Sequence, residues 1–137
     1  MSSNTKPIGV AYADQEINGS DVVLSDREFG YTAAAQGTVT LATSKSTAVT
    51  LNKSAGRITM NAASLGATTN VSFTLNNNLI SSNDVLILNI AAGATAASYH
   101  LWVDSLGAGT ASITLRNTTA GALAEAVGIN FSLLHCR

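Results

Sequence analysis

The sequence predicts an all-β protein: an antiparallel β-sandwich or jelly roll of about eight strands, preceded by an N-terminal arm or β-hairpin. Three observations predict it. Apolar residues alternate with Thr or Ser at period two, which puts one face of a strand on a core and the other in water. Clusters of Gly, Asn and Ser separate the alternating runs at short, regular intervals, the mark of a sandwich. Charge is scarce, with seven Lys+Arg and eight Asp+Glu making 11% of 137 residues, against roughly 25% in ordinary soluble domains. Polarity is supplied instead by 16 Thr, 15 Ser and 12 Asn, and Thr is the polar residue best suited to a pleated surface.

The elements follow in chain order. Asn18-Gly19 stands between residues 9–17 and 20–24, a strong hairpin signal. Residues 1–30 hold five acids (Asp14, Glu16, Asp21, Asp26, Glu28) against Lys6 and Arg27, whereas residues 31–137 hold three acids against five bases. Residues 1–37 therefore read as an acidic arm or hairpin with a linker at 31–37, and 38–137 as the sandwich. An extra pair of strands on the same domain is the other reading of the arm. Strand starts fall near residues 38, 47, 56, 70, 84, 97, 110 and 123. The alternation is carried by Val39 and Leu41, Val49 and Leu51, Ile58 and Met60, then Val71, Phe73 and Leu75. Residues 85–88 are apolar on both faces, so core covers one and a neighbouring subunit or loop the other. Residues 91–97 read as a loop into the strand at Tyr99, and Gly107-Ala108-Gly109 as a hairpin turn. Ile113 and Leu115 mark the next strand, and Val127, Ile129, Phe131 and Leu133 the last; residues 120–127 also admit one helical turn.

Composition excludes several function classes. A net charge of -1 gives no basic surplus for phosphate neutralisation, so nucleic acid is not an expected partner. With 46% hydrophobic residues the chain is not a disordered polyampholyte. No apolar run approaches the ~20 residues of a membrane span, and no membrane partner is expected. Residues 1–6 are polar, so no export leader is expected. Cys136 is alone, which excludes a disulfide scaffold.

Catalytic constellations are thin, and neither enzyme activity nor a cofactor is expected. Ser98, His100 and Asp104 have the residue types of a nucleophilic triad. At ~3.3 Å per residue, however, His100 and Asp104 lie about 13 Å apart along an extended strand. His135 and Cys136 are adjacent, so a strand would point them to opposite faces, away from a shared metal. Asp84, Asp104 and Glu125 read as turn-forming acids. Asp14, Glu16 and Asp21 lack any calcium-loop pattern. Five Asn-X-Ser/Thr triplets begin at Asn18, Asn52, Asn70, Asn117 and Asn130, and none is expected to be glycosylated. Two binding candidates remain. One is the arm, through Asp14, Glu16, Ile17, Asp21 and Val22. The other is an exposed strand presenting Tyr99, His100 and Trp102.

From Thr43 onward the sequence resembles a family of small phage and prophage virion structural proteins. The resemblance rests on Thr43-Ser44-Lys45-Ser46-Thr47-Ala48-Val49-Thr50-Leu51-Asn52-Lys53 and Gly56-Arg57-Ile58-Thr59-Met60-Asn61. It continues through Val71-Ser72-Phe73-Thr74-Leu75 and Ile113-Thr114-Leu115-Arg116-Asn117 to Glu125-Ala126 and Ile129-Asn130-Phe131. Relatives tend to have Pro where this chain has Ser54, and residues 1–37 lie outside the match. The resemblance implies a non-enzymatic capsid decoration (cement) protein on the virion surface, assembled in the host cytoplasm. Its implied partners are the major capsid protein and further copies of itself, as a homotrimer. The alternative is a head-fibre or tail-fibre tip that binds a host receptor or glycan.

Overall fold

The structure, a computed structural model, describes residues 29–136, so Asp14, Glu16, Ile17, Asp21 and Val22 lie outside the described residues. Alternation of apolar residues with Thr and Ser produces eight strands: β1 (Gln36–Thr40), β2 (Val49–Thr50), β3 (Ala55–Thr59), β4 (Asn70–Asn76), β5 (Val85–Ala92), β6 (Tyr99–Gly107), β7 (Thr110–Asn117) and β8 (Gly128–Leu134). They form two four-stranded sheets, sheet I in the order β1-β3-β8-β5 and sheet II in the order β2-β4-β7-β6. The two sheets make a β-sandwich. Their inward rows interleave as one core, with Ile58, Ile129, Phe131 and Leu133 from sheet I and Phe73, Leu75, Ile113 and Leu115 from sheet II. Burying each such side chain contributes about 1.5–3 kcal/mol.

Seven of the eight strand starts fall within two residues of their expected positions, and the exception is the last. The last strand begins at Gly128 and not near 123, because residues 120–127 are held as an irregular segment. Leu123 exchanges backbone hydrogen bonds with Leu65, and the Met60 N–H donates to the Val127 carbonyl. No helical turn forms there. The seventh strand of the expected series and the hairpin before it are where alternation placed them, with Gly109 at φ +76° in the Ala108-Gly109 turn. At the front, Gln36 and Gly37 belong to β1 and not to a linker. Tyr31 is also anchored, its hydroxyl donating to the Leu133 carbonyl.

Strand direction is where alternation is silent. The central pairs are antiparallel, but β1 runs parallel to β3 and β2 parallel to β4. From β1 to β5 each successive strand lies in the opposite sheet. A chain that crosses to the other layer and returns has reversed twice, so it comes back beside its predecessor in the same direction. The β1–β3 pair needs glycine. A Cβ on Gly56 would sit 2.4 Å from the Gly37 carbonyl oxygen, and one on Gly37 would sit 2.8 Å from Leu51 Cδ1. Leu51 therefore packs directly on bare backbone. On the other side of this pair, Gln36, Thr38, Arg57 and Asn130 border a groove of about 460 Å³.

Buried asparagines close the loops at the two ends of β4 and β7. Asn117 is fully buried; its Nδ2 donates to the carbonyls of Leu65, Gly66 and Gly121, and its Oδ1 accepts from the Thr119 N–H and hydroxyl. At the opposite end, the Asn77 side chain donates to the Lys53 carbonyl and accepts from the Leu79 N–H. Lys45 is also buried, its Nζ donating to the carbonyls of Asn61 at 2.6 Å and Glu125 at 2.5 Å. Burial lowers its pKa, and the Glu125 charge partly opposes that shift.

Candidate functional site

Two surfaces outside the core concentrate chemistry, one on each sheet. On sheet II, His100 and Trp102 point outward from β6, opposite Arg116 and Thr114 of β7. A bulge between Val103 and Ser105 inserts Asp104 as the unpaired residue and aims its carboxylate back along the same face. Trp102 Nε1 donates to Asp104 Oδ1 at 2.6 Å, while the Thr114 and Ser112 hydroxyls donate to Oδ2. Ser72 on β4 extends the chain of hydroxyls, 2.6 Å from Thr114 Oγ1. These donors, the Thr114 hydroxyl first, hold the Asp104 carboxyl below the usual range. The outcome is an indole fixed against the sheet, with the His100 ring set edge-on at a centroid distance of 6.1 Å.

Tyr99 does not belong to this surface. It faces inward as the register partner of Asn117, and its hydroxyl is buried with no partner in hydrogen-bonding geometry. Burial pushes that hydroxyl up to about 12, and the neighbouring Glu125 carboxylate adds to the shift. Of the three residues expected on an exposed strand, His100 and Trp102 are there and Tyr99 is corrected to the interior. A residue at odd spacing from its neighbours had to turn the other way.

The three carboxylates among the described residues are all engaged by donors of this chain. Glu125 accepts from the Thr95 hydroxyl at 2.5 Å and the Thr95 N–H at 3.2 Å, which lowers its pKa. Asp84 is buried and accepts from the Ser81 N–H, the Cys136 N–H and His135 Nδ1. The Ser81 N–H contributes most to holding it at about 2. His135 and Cys136 thus converge on one acid as a clasp for the chain end. Among the described residues no group of three or more His, Cys, Asp or Glu could hold a metal. Ser98, also buried, directs its hydroxyl to the Ala96 carbonyl, and Asp104 bonds to Trp102, not His100. The triad types do not assemble.

The second surface lies on sheet I. Among the described residues β5 pairs with β8 on one side only and is an edge strand. Its outward residues Val85 and Ile87 are 47% and 55% exposed, and Leu134, the register partner of Val85, is 48% exposed. The sequence signalled this surface through the two-faced apolar run at 85–88. What it did not signal is Asp104. Asp104 and Trp102 are two apart, which implies a shared face, but only the bulge makes the pair a hydrogen bond. Against family models, curated proteins and solved structures, the chain finds no match.

Proposed function

We propose that this chain is a non-enzymatic virion structural protein, a capsid decoration protein that binds the outer shell of a bacteriophage capsid through the major capsid protein and stabilises it. The observation that carries this reading is the apolar row Val85, Ile87 and Leu134, left half-exposed on a sandwich with little charge. Water-exposed apolar rows of this kind mark surfaces that become buried against protein. Asp84, Asp104 and Glu125, the three carboxylates among the described residues, are each engaged by donors of their own chain, which fits a structural role. The reading uses no cofactor, nucleic acid or membrane. It places the protein on the capsid surface after assembly in the host cytoplasm, with the acidic residues 1–30 as the docking arm. Self-association belongs to the same reading: the family resemblance implies a homotrimer, whereas the exposed strand is self-complementary across a twofold.

The test adds purified protein to expanded shells that lack it. Binding at saturable stoichiometry with a raised shell disruption temperature is expected, and deletion of residues 1–30 should abolish that binding. Protein that ignores shells sinks the reading. One observation favours a second reading, a fibre-tip module that recognises a host glycan. The indole of Trp102, clamped by Asp104 beside Arg116 and a row of hydroxyls, has the parts to stack on a sugar ring and hydrogen-bond its edges. Binding to host cells or glycans, lost in Trp102→Ala, would select it.

A further inference from the structure

Among the described residues the sandwich has four edge strands, and three are less suited than the fourth to pairing with another chain. β2 is two residues long. β1 presents the polar residues Gln36, Thr38 and Thr40 outward. β6 carries the Asp104 bulge and titratable side chains on its outer face. Short strands, charges and bulges are the usual defences of an open edge, and the polar outer row of β1 leaves it no apolar surface to bury. β5 has none of them over its first six residues. It contains no charge and no proline from Val85 to Ala92, and its register is uninterrupted as far as Ile90.

Hydrogen-bond direction along β5 follows from β8. The Leu133 N–H donates to the Ser54 carbonyl, toward β3. The backbone groups of Leu134 therefore face β5, and by alternation Val85, Ile87 and Asn89 bond to β8. Those of Leu86, Leu88 and Ile90 face the open edge. The Ile90 carbonyl is partly covered, at 3.4 Å, by the Asn89 side chain. Among the described residues no strand pairs with Leu86 or Leu88 along that edge.

We propose that β5 pairs antiparallel with β5 of a second copy across a twofold axis at Ile87, joining two sheets I into one continuous sheet. This goes beyond shell binding and does not depend on it. In that register Leu86 and the copy's Leu88 exchange two hydrogen bonds, and symmetry supplies two more. Ile87 meets Ile87 of the copy, and Val85 meets Asn89 of the copy, on the same face as Leu134. A second copy fits for reasons of charge. The strand is neutral, and the nearest acid, Asp84, has its carboxylate turned into its own loop against Ser81 and His135, so like charges do not meet. An isologous contact of this kind closes on itself and leaves no further β5 edge open.

Sedimentation of the full-length chain under reductant, across a concentration series, should give a monomer–dimer equilibrium. Ile87→Lys sets two ammonium groups against each other at the axis and should leave only monomer, with an unchanged circular dichroism spectrum. Register is tested by cross-linking in a Cys136→Ser background. Ile87→Cys should form a disulfide-linked dimer under mild oxidant, since cross-strand Cα atoms in a non-hydrogen-bonded pair are ~4.5 Å apart. Val85→Cys should not, because it faces position 89 of the copy. A monomer at every concentration overturns the proposal, as does a trimer or dimer that survives Ile87→Lys. Equal cross-linking at positions 85 and 87 overturns the register. Shell binding by the same variants reports separately on decoration, so either idea can fail alone.

Discussion

Sheets I and II share one core but finish their outer faces differently. On sheet II the hydroxyls of Ser72, Ser112 and Thr114 and the Trp102 N–H bond to one another or to Asp104, so the face is largely satisfied within the chain. On sheet I the cross-strand side-chain bond runs from Arg57 Nε to Asn130 Oδ1, and the β5 end is left apolar at Val85, Ile87 and Leu134. The same Thr/Ser-rich, charge-poor composition therefore produces one closed surface and one unfinished surface. A partner protein gains more by burying the second, because no internal network has to be broken. Low charge alone does not identify an interface; the placement of hydroxyls relative to apolar residues does.

The severest way to break this comparison is to ask whether the sheets are one folding unit. Phe73→Ala on sheet II and Phe131→Ala on sheet I each remove a nearly fully buried ring from the shared core. Each should cost about 3–5 kcal/mol. Urea unfolding should stay a single transition in both variants. Two transitions, or loss confined to one sheet, would mean the faces belong to separable layers.

Next in size are the buried asparagines. Asn117→Ala strips partners from the carbonyls of Leu65, Gly66 and Gly121 and should cost about 3 kcal/mol. Asn77→Ala strips a partner from one carbonyl, that of Lys53, and from the Leu79 N–H, and should cost nearer 1–2 kcal/mol. Equal losses in chemical denaturation would show that the two ends are not held in proportion to their hydrogen bonds.

These asparagines also mark how far the sequence could be read. Strands β4 and β7 were legible because alternation and turn residues agree there, as in Val71, Phe73 and Leu75 between Asn70 and Asn76. The fully buried Asn117 was legible only as the start of an Asn-X-Thr triplet, since nothing local says that three distant carbonyls converge on it. The parallel edge pairs and the β6 bulge are also products of long-range packing. The apolar row on sheet I was visible in the run at 85–88, because a strand with no polar face sets apolar side chains outside the core as well as inside it; the second cover expected for it is not supplied by the described residues. The Asp104 clamp was not, although its two-residue spacing from Trp102 was there to be seen.

Acid sharpens the comparison further, since each sheet has a carboxylate held below its ordinary pKa. Asp84, at about 2, serves the β5–β8 end of sheet I, and Asp104 serves the face of sheet II. A folded-state pKa below the unfolded value of ~3.9 means that the stabilisation is complete above that value. It fades as pH falls toward the folded pKa. Melting temperature should therefore drop between about pH 4 and pH 2, the window set by Asp84. Asp84→Asn should lower stability at neutral pH and flatten that acid limb, because the variant has no proton left to gain. An unaltered limb would assign the acid sensitivity elsewhere.

The smallest effect probes the closed face itself. Trp102 is the single tryptophan of the chain, so its fluorescence reports on sheet II alone. Asp104→Ala removes the acceptor for its N–H and for the Ser112 hydroxyl, both near solvent that can replace the lost bonds, while the buried Thr114 hydroxyl keeps Ser72 as a partner. Stability should change by less than about 1 kcal/mol. The emission maximum and acrylamide quenching should nevertheless move, because the indole is no longer held against the strand. Ile87→Lys on sheet I should leave both unchanged while altering association. If Asp104→Ala instead changed the sedimentation profile and Ile87→Lys did not, the closed face would be the interface. The distinction between the two sheets would then be reversed.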